Sequence, residues 1–343
     1  MQQTVKFSVI GFGRIGQRHA KIIQEYPQSE LVSLTDTDTS QFLSGDKLGL
    51  DTITTYTSID EFIKEDKNSS DVVCICTPNG LHTDFAIQLL EAGYHVVIEK
   101  PMGISMDSCL DVIGAQEANN RRVFVVKQNR YSPPSVWMKK MVEEKIIGNV
   151  LMVQVNCYWN RDDRYYKGSP WKGDKQLDGG ALFTQFSHFV DLMFWTFGDI
   201  RSSKSVIKNF THPDLADFDD SGFAQFEFVN GGIGSINYST SCWDTNMESS
   251  ITVVGTKGSF KVGGQYMNEV EYCHIEDYEM PELEATNPPN DYGPYKGSAA
   301  NHHYVIENVV NTLNGHSEPT ANAYEGMKVV SIIERIYKAG GFI

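Results

Sequence analysis

Two side chains in this sequence are of a type and setting to move a proton. Lys100 lies in HVVIEKP, after an apolar stretch at residues 96–98 and between Glu99 and Pro101. At the ligand-facing end of a strand, a lysine whose pKa is lowered by burial or by a nearby positive charge holds or takes the proton of a substrate hydroxyl. The plainer reading is a surface lysine following a strand. The second side chain is His188, in ALFTQFSHFVDLMFWTF at residues 181–197. This segment is apolar almost all round and predicts one buried helix. Among its polar exceptions, Thr184, His188 and Asp191 share a face at i, i+4, i+7. Buried polar groups need partners or a cavity. His188 is therefore either a core histidine satisfied by Asp191, or it faces a substrate while Asp191 holds the helix or the ring orientation.

Oxidation of a hydroxyl would need an electron acceptor, and the N-terminal residues offer a place for one. VKFSVIGFGRIG at residues 5–16 is a strand-like run that breaks into Gly11, Phe12, Gly13, Arg14, Ile15 and Gly16. This GxGxxG turn, ahead of a helix, lets backbone amides approach a pyrophosphate whose charge the helix N-terminus stabilises. Asp36 ends the next predicted strand, about twenty residues on, where a carboxylate accepts from ribose hydroxyls and repels a 2′-phosphate. No Arg or Lys follows at residues 37–40, so the pattern favours NAD over NADP.

The elements that must carry these residues change rhythm along the chain. Short apolar strands at 6–10, 31–35, 72–77, 96–98 and 123–126 alternate with helical patterns at 15–26, 59–65, 81–92 and 105–119. Such alternation implies a doubly wound parallel sheet, an α/β domain with ligand sites at the carboxyl ends of its strands. After a helix at 133–145, strands at 150–159, 204–209, 222–228, 233–239, 250–254 and 259–262 follow one another through glycine turns. That succession implies a mostly antiparallel sheet in an α+β second domain. Residues 281–295 read as a long loop, and helices at 301–313 and 323–339 close the chain. The expected domains are 1–128 for cofactor and 129–343 for substrate and self-association, the last helix packing back on the first.

Composition bounds the partners. The 343 residues carry a formal net charge of -15, which disfavours nucleic acid and anionic membrane surfaces. No apolar run approaches the roughly 20 residues of a membrane span, and the N-terminus lacks a cleavage-site pattern. The six scattered cysteines form no CxxC pair, so a reducing cytoplasm is the expected compartment. No metal is implied.

GFGRIG, TPNGLH at 77–82, AGYHVVIEKP at 92–101, the GG…H..D pattern from Gly179 to Asp191 and the closing GHSEPTANAYEGMKVVSIIERIY resemble the glucose-fructose oxidoreductase / inositol dehydrogenase / MocA family. The resemblance covers nearly the whole chain. It implies a Rossmann domain plus an open-faced sheet domain that packs into a homo-oligomer, a dimer or tetramer. It makes Lys100 and His188 the catalytic pair and puts Thr77, Pro78, Asn79, His82 and Glu99 around NAD, with Gln128 and Trp171 as further contacts. Many members carry an aspartate four residues before the histidine; Thr184 stands there in this chain.

VVKQNRYSPP, VNCYWNRDD, YYKGSPWKG and LFTQFSHFVD, within residues 125–191, look like the UDP-N-acetylglucosaminuronate 3-dehydrogenase subgroup. That likeness implies oxidation of a sugar-ring 3-hydroxyl in bacterial surface-polysaccharide synthesis. A substrate with a diphosphate and a carboxylate calls for a local cationic site. Arg161, Arg164, Lys167, Lys172 and Lys175, interleaved with Tyr165, Tyr166 and Trp171, supply one, although charge runs usually face solvent. Arg161, Arg164, Tyr165, Gln185, Asn301 and His302, with Lys100 and His188, are the expected substrate contacts. The competing expectations are a free inositol or sugar dehydrogenase of the same family and a non-catalytic NAD-binding regulator.

Overall fold

The computed structural model describes residues 3–43, 49, 53–67, 69–293 and 295–342. The chain divides into two compact units, residues 1–127 with 302–327 and residues 128–301 with 328–343.

In the first unit, β1 (Val5–Ile10), β2 (Ser29–Thr35), β3 (Thr54–Tyr56), β4 (Val72–Ile75), β5 (His95–Ile98) and β6 (Val123–Val125) form one sheet in the order β3-β2-β1-β4-β5-β6. Every pairing in it is parallel. The order reverses between β1 and β4, and ligands of open α/β sheets bind outside the strand ends at such a point. Phe7, Val9, Val73, Ile75, Val96 and Ile98 are fully buried, as expected where helices cover both faces of a parallel sheet.

The connecting helices are α1 (Arg14–Glu25), α2 (Ile59–Asp66), α3 (His82–Glu91) and α4 (Met106–Ala118). Ser58 and Ser105 cap α2 and α4 by accepting from backbone N–H groups three residues on. The sequence pattern anticipates all of these elements except β3, which is too short to show a period.

The second unit is built on a seven-stranded sheet of β7 (Val150–Tyr158), β8 (Ile200–Lys208), β9 (Ser221–Phe228), β10 (Ile233–Ser239), β11 (Glu248–Gly255), β12 (Gly258–Gly263) and β13 (Glu269–Ile275). Its order is β13-β12-β11-β7-β10-β9-β8. It is antiparallel except where β10 runs parallel to β7. On β9, Ala224, Phe226 and Phe228 are buried while Phe223, Gln225 and Glu227 are exposed, so one face is packed and the other is open. Helices α5 (Pro133–Glu143), α6 (Asp163–Tyr166), α7 (Ala181–Thr184) and α8 (Ser187–Phe197) belong to this unit; α5 packs on α8 and on β12.

Two expectations need correction here. The run at 281–295 is not all loop, because β14 (Pro289–Asp291) pairs with β15 (Lys296–Ala299). The helix expected over 181–197 is two helices, broken at Gln185 and Phe186. The side chains at the break are drawn elsewhere: the Thr184 hydroxyl donates to the Asp178 carboxylate and carbonyl, and Gln185 bonds Arg161 and Tyr165. Helices α9 (His302–Leu313) and α10 (Ala323–Ala339) end the chain. No helix among the described residues is long and apolar enough to cross a membrane.

Candidate functional site

The first unit presents its candidate residues at the carboxyl ends of β1, β2, β4 and β5. After Ile10 the chain turns at Gly11, whose φ of +87° suits glycine and where a Cβ would come within 2.6 Å of the Cys76 carbonyl. A Cβ on Gly16 would meet the Gly11 carbonyl at 1.9 Å, so α1 leaves the strand in backbone contact with it. Gly13 is different: nothing lies within 4 Å of the position its Cβ would take. Gly13 is also the N-cap of α1 and no side chain caps that helix. The helix therefore offers uncapped N–H groups and the positive end of its dipole to open space, the arrangement that binds an anion.

Asp36 follows β2. Its Oδ2 accepts from Phe12 N at 2.6 Å and its Oδ1 from Asp38 N at 2.8 Å. The carboxylate thus braces the glycine turn and still has lone pairs for further donors. Thr77 and Pro78 leave β4, and Asn79 starts the 3-10 turn that leads into α3. The Thr77 hydroxyl is buried and has no hydrogen-bond partner among the described residues.

Glu99 and Lys100 leave β5. Glu99 is buried, and its Oε1 accepts from His19 Nε2 at 2.8 Å. His302 Nε2 stands 3.6 Å from the same oxygen, and the Lys100 backbone N–H donates to Oε2 at 3.1 Å. Burial pushes the Glu99 carboxyl up, but the two imidazoles outweigh it and hold the group well below the usual carboxylate range. Burial lowers the pKa of His302, more than Glu99 beside it raises it. The picture is an ionised carboxylate faced by imidazole N–H groups. His82 has both ring nitrogens on carbonyls, Nδ1 at 2.7 Å from Pro101 O and Nε2 at 2.9 Å from Thr77 O. Burial, the larger influence, lowers its pKa.

In the second unit Arg161 is buried, stacked 4.7 Å from the Trp159 ring, 4.9 Å from that of Tyr295 and 5.3 Å from that of Tyr165. Its N–H groups reach Gln185 Oε1, Asn160 O, Asn246 Oδ1 and Lys296 O. All of these acceptors are neutral, and no carboxylate pairs with Arg161 among the described residues. Burial lowers its pKa while the tyrosines around it oppose the shift. Tyr165 accepts from Gln185 Nε2 at 2.7 Å, and the Lys172 ammonium sits 3.9 Å over its ring. Arg164 is half-exposed and pairs with Asp162 and Asp244, while Lys167 pairs with Asp163. The expected basic run is therefore split: Arg164 and Lys167 have carboxylate partners, Lys175 reaches the Phe342 carbonyl, and Arg161 and Lys172 lie against aromatic rings.

His188 lies in the first turn of α8 and is buried. Asp191, one turn on, forms a two-pronged pair with Arg130 at 2.8 and 2.9 Å. This is the partner the sequence reading missed. Asp191 holds α8 to the turn that carries Arg130. Gln128 is buried and its Oε1 has no partner among the described residues. Trp171 is partly buried, and its carbonyl accepts from Asp174 N.

The structure separates Asn301 from His302. Asn301 belongs to the second unit, donating to Ser132 Oγ and accepting from Asn287 Nδ2; His302 belongs to the first, against Glu99. His19 also escaped the sequence reading, although a histidine on the buried side of the helix after GxGxxG was a signal within reach.

Comparison with known proteins gives consistent matches. Residues 5–127 match the family model described as an oxidoreductase family, NAD-binding Rossmann fold, and residues 139–340 match the one described as an oxidoreductase family, C-terminal alpha/beta domain. The WlbA dehydrogenase from Bordetella pertussis, solved in complex with NADH and UDP-GlcNAcA, is 30% identical with a TM-score of 0.86, over 99% of this chain and 97% of that one. The WlbA dehydrogenase from Chromobacterium violaceum, solved with the same two molecules, is 27% identical with a TM-score of 0.87, over 99% and 94%. The 2,7-anhydro-N-acetylneuraminate hydratase of Escherichia coli is 24% identical over 76% of this chain and 68% of its own length. The residues of the first unit fit an NAD: the uncapped end of α1 suits a pyrophosphate, and the open space at Gly13 and the orphaned Thr77 hydroxyl leave room and a polar group for it.

Proposed function

The chain belongs to the glucose-fructose oxidoreductase / inositol dehydrogenase / MocA family and is an NAD-dependent oxidoreductase, and from that premise we propose that it oxidises the 3-hydroxyl of a nucleotide-linked sugar acid, UDP-N-acetylglucosaminuronic acid. The product would serve bacterial surface-polysaccharide synthesis. The observation that carries the choice of an anionic substrate is Arg161, a buried guanidinium with neutral acceptors and aromatic faces but no carboxylate partner among the described residues. A buried charge needs compensation, and an anionic ligand supplies it in a protein of net charge -15. The likeness to two dehydrogenases solved with NADH and UDP-GlcNAcA supports the same reading.

In this reading the turn from Gly11 to Gly16 and the N-terminus of α1 hold the cofactor pyrophosphate, and Asp36 accepts from the adenosine ribose. Thr77, Pro78, Asn79, His82, Glu99, Gln128 and Trp171 complete the cofactor surroundings. NAD supplies the hydride acceptor when bound. Lys100 takes or holds the proton of the reacting hydroxyl, and His188 is its acid-base partner on that hydroxyl. Arg161, Arg164, Tyr165, Gln185 and Asn301 contact the substrate. Asp36→Ala removes both a ribose acceptor and a negative charge, so it weakens NAD and narrows its advantage over NADP. A wild-type preference for NADP of about tenfold would show that Asp36 has another role.

The substrate is tested by following nicotinamide absorbance with UDP-N-acetylglucosaminuronic acid, the same sugar without UDP, and free inositol. We expect turnover with the first only, and competition by UDP. Arg161→Ala or Arg164→Ala should raise KM more than it lowers kcat, the pattern of lost uniform binding. Equal turnover of inositol with no response to UDP would replace this substrate with a free polyol.

A further inference from the structure

We propose that His19, His82 and His302 form a buried clamp that fixes the segment Glu99–Lys100–Pro101 and so positions Lys100 for proton transfer. This rests on the reading of Lys100 given above and assigns the three histidines a positioning role rather than contact with the reacting atoms.

The argument begins with how the segment is held. Lys100 sits past the end of β5, where the sheet ladder no longer fixes the backbone. The Glu99 side chain takes over: Oε2 accepts the Lys100 backbone N–H, and Oε1 is held by His19 from α1. His302, from the start of α9, closes on the same oxygen and packs edge-on against His19, ring centres 5.7 Å apart at 81°. On the other side of Lys100, His82 from α3 lies between two carbonyls, and its neutral ring donates to one of them; the tautomer with the proton on Nδ1, 2.7 Å from Pro101 O, holds the segment. In that tautomer the segment is tied on both flanks of the lysine.

All three imidazoles are almost wholly excluded from solvent, at 0%, 0% and 2% exposure for His19, His82 and His302. Burying three polar rings around one turn costs free energy unless their bonds are made. Nδ1 of His19 and of His302 has no partner among the described residues. That is tolerable for a bare lone pair when Nε2–H faces Glu99, and it marks the carboxylate as the group these rings serve.

The titratable and charged groups around this carboxylate are Arg18 and His19 on α1, Cys74 and Cys76 at the end of β4, His82 on α3, Lys100 beside it, and His302 on α9. Loss of an imidazole donor weakens the hold on the ionised carboxylate and, through it, on the lysine.

The test uses the full-length protein loaded with NAD. Acetic anhydride in trace amount labels the Lys100 amine, and mass spectrometry reads its rate against other lysines; kcat and KM are measured on the same samples. His19→Leu should label Lys100 at least threefold faster at pH 7 and lower kcat about tenfold or more, with KM for NAD within about threefold; His19→Gln, which keeps an N–H, should restore most of both. Glu99→Gln, nearly isosteric, should show the same faster labelling and serves if His19→Leu does not fold. An unchanged Lys100 labelling rate in the folded variants overturns the clamp, whatever happens to kcat. Lys100→Met measured in parallel isolates the other premise: if that variant keeps near-wild-type turnover, the catalytic reading of Lys100 falls while the labelling result still decides the clamp.

Discussion

Lys100→Met loses about 10²–10⁴-fold in kcat while its NAD affinity stays within about tenfold. Methionine matches the lysine stem in length and removes only the ammonium, so the held shape of the turn survives. Glu99 still accepts the backbone N–H at position 100 and is still bonded by His19. In the proposed reading, what goes is the group that takes or holds the hydroxyl proton, an effect on the reaction step rather than on binding. Stopped-flow measurement of the first turnover, alongside an NAD titration, separates the two. A variant whose first-turnover rate is within threefold of wild type would remove Lys100 from the chemistry.

Arg130→Ala should destabilise the second unit by about 3–5 kcal/mol. Arg130 and Asp191 are both buried, joined by two bonds of 2.8 and 2.9 Å, and the guanidinium lies 5.5 Å from the Trp195 ring. Alanine leaves the Asp191 carboxylate buried without its guanidinium, and that uncompensated charge is the main cost. A typical domain has only about 5–15 kcal/mol in hand, so the loss should appear as a fall in Tm of about 6–20 °C. Replacing both partners with apolar residues, Arg130→Met with Asp191→Leu, should cost less than the single change, because no charge is stranded. A loss under 1 kcal/mol for Arg130→Ala in a urea titration would show that water or another group reaches Asp191. Asp191 sits one turn from His188 on α8, so under the proposed role of His188 activity should fall with stability.

The parts of the molecule that follow from local pattern were legible in the sequence. Alternating apolar strands and helices announced the parallel sheet, and the succession of strands after residue 150 announced the mixed one, because a strand covered on both faces reads as a short continuous apolar run and a strand with one open face as an alternating one, whatever its neighbours are. The glycine turn was legible because its geometry admits few other residues. What escaped depends on partners far along the chain. Nothing near Asp191 names Arg130, and nothing near Glu99 names His19 or His302, which lie on other elements. The break between α7 and α8 escaped for the same reason: an apolar run looks continuous until Thr184 and Gln185 are seen to be tied to Asp178, Arg161 and Tyr165. The basic run showed its charges but not that Asp162, Asp163 and Asp244 answer the outer ones.

The first unit is discontinuous in sequence, and this gives its assembly a clock. The Val125 N–H donates to the Ala321 carbonyl, Phe124 bridges Asn322, and α9 lies against α1. On a ribosome these partners emerge roughly 200 residues after β6, and at roughly 5–20 residues per second that is a wait of about 10–40 s. During that interval the edge strand β6 has no cover from Ala321 and Asn322, and Glu99 has His19 but not His302. The nucleotide half of this enzyme is therefore completed only after residues 128–301 of the second unit have been synthesised, and a nascent chain arrested before residue 302 should expose a sheet edge of the kind that chaperones bind.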